Sequence, residues 1–110
     1  MTRSCYLAVL ALAVATSTAQ AQEARTVIGP LGFSCGKWIN TPKQTGEYEA
    51  LKAWVTGYLS GTNMASSVDF LRGRDADGVT AWIDNYCRRN PLHVVTQALT
   101  ELVKELKAGR

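Results

Sequence analysis

Val79-Thr80-Ala81-Trp82-Ile83-Asp84-Asn85-Tyr86-Cys87 places apolar side chains at 79, 82, 83, 86 and 87. Those intervals of three and four are the stripe of an amphipathic helix. Asp75 or Asp77, just upstream, can cap its first turn by accepting a free backbone N–H. Cys87 belongs to the buried stripe, so a bond at that sulfur would draw another part of the chain onto the core.

Asn90-Pro91 follows. Proline disfavours helical geometry for the residue before it and suits the first turn of a new helix. The expectation is a break at Asn90 and a new helix with Asn90 as its cap. Val95, Ala98, Leu99, Leu102, Val103 and Leu106 then form one stripe, with Lys104 and Lys107 where a helix end favours cations and Gly109 just beyond. On the other side, residues 66–77 read as a connection anchored by Val68, Phe70 and Leu71, most polar across Arg72-Gly73-Arg74-Asp75-Ala76-Asp77-Gly78. Before it, Tyr48, Leu51, Val55, Tyr58 and Leu59 share a helical face with Trp54 beside them. Thr45 is a suitable N-cap, and Glu47 and Glu49 suit the positive end of the helix dipole. Gly57, Gly61 and Ala65 recur every four residues at the edge of that face. A helical glycine costs about 1 kcal/mol against alanine. Their spacing therefore predicts a close neighbour: another helix of this chain, or a ligand or partner seated on the smooth strip.

Residues 22–44 have no sustained period and are punctuated by Gly29, Pro30, Gly32, Gly36 and Pro42. They read as an extended arm tied down by Cys35, with one short turn of helix at residues 35–39. The fold class expected is all-α: a small bundle of three to four helices in residues 45–110, with the N-terminal arm and one disulfide.

Residues 1–21 have a different character. Arg3 precedes an apolar run, YLAVLALAVA at 6–15, and a small polar segment ending in Ala19-Gln20-Ala21. This is the layout of a secretory signal peptide, with cleavage expected after Ala21. The run is shorter than the roughly 20 residues that span a bilayer. Cys5 precedes the apolar run and so is no lipoprotein anchor. The expected location of the mature chain is periplasmic or secreted. Of three cysteines, cleavage leaves Cys35 and Cys87, which have only one intramolecular pairing. In a small exported domain that reads as a structural disulfide.

The mature chain keeps all nine acidic residues and, without Arg3, eleven of the twelve Lys and Arg, so its formal charge is eleven minus nine, +2. That is too mild to argue for nucleic acid or an anionic membrane. No second apolar run reaches membrane length. Metal and cofactor signals are also missing. Asp75-x-Asp77-Gly78 with Asp84 resembles the middle of a calcium loop, but the first ligand position falls on Gly73, which has no side-chain oxygen. His93, the one histidine, reads as a surface residue in the first turn of the last helix. Arg72, Arg74, Arg88 and Arg89 could meet if the connection lies near the end of the following helix, and would then suit an acidic partner or an anionic cell-wall polymer. Trp54 and Trp82 read chiefly as core. Trp38, in the arm, is the tryptophan expected to be partly exposed and available to a partner.

Cys35 ahead of a helix carrying Trp54-Val55-Thr56-Gly57-Tyr58, then Tyr86-Cys87-Arg88-Arg89-Asn90-Pro91 running into a final helix, resembles the HdeA/HdeB-like periplasmic proteins. The helix with Gly57-Tyr58-Leu59-Ser60-Gly61, followed by a helix, a proline turn and a closing helix, is similar to Rap/Tai-type immunity proteins of type VI secretion. The first resemblance implies an acid-stress chaperone, non-enzymatic and without cofactor, that loosens at low pH and holds unfolding clients. Its client surfaces would be the Trp54/Tyr58 and Trp82/Tyr86 faces. The second implies a protein that stays folded and blocks a secreted cell-wall amidase, inserting a loop such as residues 72–77. Under either, the partner is a protein, and Gly57, Gly61, Arg72 and Arg74 are further candidate contacts.

Overall fold

Three short polar side chains start three of the helices, and each does so by accepting a backbone N–H that the helix itself leaves free. Ser34 Oγ accepts from Lys37 at 3.0 Å, Thr45 Oγ1 from Tyr48 at 3.2 Å, and Asp75 Oδ1 from Gly78 at 2.7 Å. The computed structural model describes residue 29 and residues 32–109. Its order is α1 (Cys35–Asn40), α2 (Gly46–Met64), α3 (Ala76–Arg89) and α4 (Val95–Lys107). No strand occurs among the described residues. The expected signal peptide, residues 1–21, lies outside them.

The expected all-α bundle with one disulfide is present. α3 packs most extensively against α1 and α4, and α2 lies across α3 and α4. Val55 and Leu59 of α2, Ile83 of α3, and Val95 and Leu99 of α4 fill the centre. The stripes read from the sequence are the faces turned inward. The segment expected as an arm becomes helix at Cys35, close to the single turn anticipated there.

The last helix starts later than its proline suggests. Asn90 closes α3, its N–H donating to the Tyr86 carbonyl at 2.9 Å. Residues 91–94 are a loop, and α4 begins at Val95. The cause is the chain segment ahead of α1. Cys35 N–H donates to the His93 carbonyl at 2.8 Å and Val95 N–H to the Phe33 carbonyl at 3.0 Å, so Ser34 and Val94 form an antiparallel bridge. Those bonds require extended backbone at Val94, whose φ and ψ are −95° and 152°. The helix therefore starts after the bridge, where Gln97 Oε1 accepts the Val94 N–H at 3.0 Å.

One residue from that bridge, Cys35 and Cys87 form the disulfide, and both are fully buried. It joins residues 52 apart in the sequence. Closing so long a loop in the unfolded chain removes entropy worth about 4 kcal/mol. Both cysteines of the oxidised protein should resist alkylation under denaturing, non-reducing conditions. Reduction should lower the unfolding free energy from urea titration by about 4 kcal/mol. Labelling of both thiols without reductant would contradict the pairing.

Candidate functional site

α3 turns one carboxylate inward. Asp84 follows Ile83 and precedes Cys87 by three residues, so helical spacing brings it beside the disulfide, facing α1. The residue is 8% exposed. Oδ1 accepts the Trp38 indole N–H at 2.7 Å, and Oδ2 accepts from the Lys43 ammonium. Lys43 stands 5.5 Å from the centre of the Tyr48 ring, which packs against Trp38 with centroids 5.4 Å apart. The hydrogen bond to Asp84 holds the Lys43 pKa above its ordinary 10.5; partial burial opposes it, and the Asp84 charge and Tyr48 reinforce it.

Trp38 is thus not the exposed tryptophan expected of an arm. It is 1% exposed, because the disulfide sets Cys35 against α3 and the next turn of α1 carries Trp38 onto Asp84. From Trp38 an aromatic series runs outward. Phe33 stacks on it at 6.3 Å and meets Trp54 edge-on at 5.8 Å, and Trp54 stacks on Tyr58 at 5.5 Å. Gly29 lies against Trp54: its φ is +137°, and a Cβ there would fall 2.1 Å from the indole nitrogen. No side chain other than hydrogen fits that approach.

A second series occupies α3 and the loop after it. Trp82 stacks on Tyr86 at 5.4 Å, and Tyr86 packs against His93 at 5.7 Å. The Tyr86 hydroxyl and His93 Nδ1 are 2.7 Å apart, and the Trp82 indole donates to Glu105 at 3.0 Å. His93 is therefore half-buried in the loop rather than a free surface residue within a helix. No aromatic contact among the described residues joins the two series. Trp54, Tyr58 and Trp82 are half-buried and Tyr86 is buried.

The remaining candidates scatter. Gly57 and Gly61 are exposed, and a Cβ on either would meet nothing within 4 Å. The close neighbour expected there is not supplied by any described residue, because α2 turns Leu51, Val55 and Leu59 to the core and the glycines to its flank. Arg72 and Arg74 are exposed on the connection, either side of Gly73, whose φ of +72° permits the reversal. Arg72 reaches Asp69 at 3.5 Å. The Asn63 side chain clamps this connection, donating to Asp69 at 2.9 Å and accepting the Leu71 N–H at 3.3 Å. That first bond, helped by Arg72, holds the Asp69 pKa below its ordinary 3.8. Arg88 and Arg89 sit at the other end of α3, 14 residues long and hence about 20 Å away, so the four arginines do not converge. The calcium-like aspartates are spent elsewhere: Asp75 caps α3 and Asp77 pairs with Lys52 at 3.5 Å. Among the described residues no three His, Cys, Asp or Glu gather as a metal site, and no helix is long and apolar enough to cross a membrane.

No family model, curated protein or solved structure matches the chain. The chemistry its side chains offer is two aromatic series, each tied at one indole to a carboxylate. Sequence reasoning weighs Asp84 only as a calcium ligand. The signal that could have found its role is its position inside the apolar stripe, where an unpaired carboxylate would be costly. Met64 and Leu92, at 87% and 94% exposure, are apolar surface residues that no sequence pattern singles out.

Asp84→Ala leaves the buried Trp38 N–H without an acceptor and should lower stability by about 2–3 kcal/mol, whereas Asp84→Asn, which keeps an acceptor, should cost about 1 kcal/mol. Equal losses in urea titration would contradict the tether. Because Lys43 is raised in the folded state, its contribution is complete below 10.5 and fades as pH climbs through the raised value. Wild type and Lys43→Met should therefore converge in stability above pH 10.5, by a small step because the amine is 58% exposed.

Proposed function

We propose that this protein is a non-enzymatic, exported binding protein that holds unfolding clients in acid, as the HdeA-like family it resembles does. One observation carries the reading. Every side-chain hydrogen bond or ion pair between two helices, among the described residues, ends on a carboxylate. Lys37 pairs with Glu47 between α1 and α2, and Trp38 with Asp84 between α1 and α3. Lys52 pairs with Asp77 between α2 and α3, and Trp82 with Glu105 between α3 and α4.

Carboxylates as a class take up protons near pH 4 and below. Acid then removes the negative partner of each bond while every Lys and Arg stays charged, and the excess positive charge favours expansion. Asp69 adds to this with the same sign. Its pKa is lowered in the folded state, so its contribution is present above 3.8 and lost as pH falls through the lowered value. That loosens the connection between α2 and α3. The surfaces released are Trp54 with Tyr58 and Trp82 with Tyr86, and the disulfide limits how far the opened chain can spread. The signal-like residues 1–21 and the cysteine pair support an oxidising, extracytoplasmic location.

The exposed connection before α3, which carries Arg72 and Arg74, favours a second reading, a Rap/Tai-like inhibitor that inserts this loop into a secreted amidase at neutral pH. The two are separated by following light scattering of an aggregation-prone client at pH 2.5 and pH 7, with the oxidised protein's tryptophan fluorescence recorded alongside. The expected result is suppression only in acid, coincident with loss of the native tryptophan signal. A protein that stays folded at pH 2.5 and suppresses nothing overturns the chaperone reading in favour of the inhibitor.

A further inference from the structure

A cleft of about 390 Å³ lies between α2 and α4. Fully buried Leu99 and half-buried Val103 and Tyr58 line it, with exposed Lys104 and Lys107 at its rim. No carboxylate lines it. The threonines on its walls spend their hydroxyl protons on their own helices, Thr62 on the Tyr58 carbonyl at 2.8 Å and Thr100 on the Thr96 carbonyl at 2.9 Å. The Tyr58 hydroxyl donates to no group among the described residues. Lys107 has no carboxylate partner among them either; its ammonium stands 5.6 Å from the centre of the Phe70 ring. Lys104 reaches Glu101 at 2.9 Å, an exposed i,i+3 pair of little worth.

An apolar floor, a phenol donor and two rim cations complement one chemistry: apolar side chains flanked by carboxylates. The shape narrows it further. An extended peptide would gain its backbone bonds from a sheet edge, and the described residues contain no strand. Two helices bounding a groove suit a third, and Gly61, exposed beside Thr62, puts no side chain in the way on the outer flank of α2. We propose that this cleft docks an acidic amphipathic helix of a partner protein at neutral pH. The partner's apolar face rests on half-buried Val103 and the Tyr58 ring, and its carboxylates meet Lys104, Lys107 and the Tyr58 hydroxyl. This concerns the folded protein and stands whether or not acid releases the aromatic series.

The test uses the oxidised mature protein at pH 7 and two labelled helical peptides of about 18 residues, long enough to hold helix. Both carry a leucine face; one is flanked by Glu and the other by Lys. Fluorescence anisotropy should show the Glu peptide binding about tenfold more tightly than the Lys peptide. Lys104→Glu with Lys107→Glu should weaken the Glu peptide about tenfold, while Arg88→Glu with Arg89→Glu, at the C-terminal end of α3, should change it less than about twofold. Equal binding of the two peptides, no binding of the Glu peptide, or equal loss in both double variants, which would mean attraction by net charge alone, overturns the proposal.

Discussion

Cys35 and Cys87 are joined beside the place where the backbone of residues 33–35 pairs with that of residues 93–95. The covalent bond and the two hydrogen bonds constrain one another. Together they set the first residue of α1 against the last turn of α3 and the first residue of α4. Once that junction is fixed, Trp38 has one place to go, one turn along α1 and against Asp84. Burying an indole N–H without an acceptor costs several kcal/mol in an apolar setting. The carboxylate removes that cost, and Lys43 in turn offsets the charge on the carboxylate. The Phe33, Trp54 and Tyr58 series then builds outward from Trp38. The placement of that series thus depends on backbone bonds and a disulfide at the junction rather than on the rings alone.

Helices with a continuous apolar stripe are legible in the sequence itself. Val79 to Cys87 and Val95 to Leu106 carry the intervals of three and four without interruption, and local caps such as Thr45 and Asp75 act on their own turns. The start of α4 is not legible, because a long-range backbone bridge decides it. Pro91 and Asn90 have all the local qualities of a helix start, but the pairing of Phe33 and Cys35 with the far side of the loop requires extended backbone at Val94. No window of sequence around Pro91 contains that information. α1 is legible only as a single turn, since a helix of 6 residues has no room to display a period.

The candidate site divides the same way. The aromatic pairs at i and i+4, Trp54 with Tyr58 and Trp82 with Tyr86, are visible as helical neighbours and do stack. Trp38 misleads because the irregular sequence around it suggests exposure, while its burial depends on a partner 46 residues away. Gly57 and Gly61 announce a close neighbour by their spacing, yet spacing cannot say whether that neighbour belongs to the same chain. Arg72 and Arg74 stand apart from Arg88 and Arg89 for a simpler reason: the whole of α3 lies between them.

The disulfide also divides the molecule topologically. The covalent ring that runs from Cys35 to Cys87 encloses α1, α2 and nearly all of α3. α4 lies wholly outside it. Three helices therefore share a closed circuit, while the fourth is held by non-covalent contacts: its packing, the Val95 to Phe33 backbone bond and the Trp82 to Glu105 bond. α4 packs on the core with Val55, Leu59 and Ile83 from outside the circuit, so the ring can stay closed while the face of α4 is exposed. Any event that weakens the face of α4 opens the core without undoing the ring.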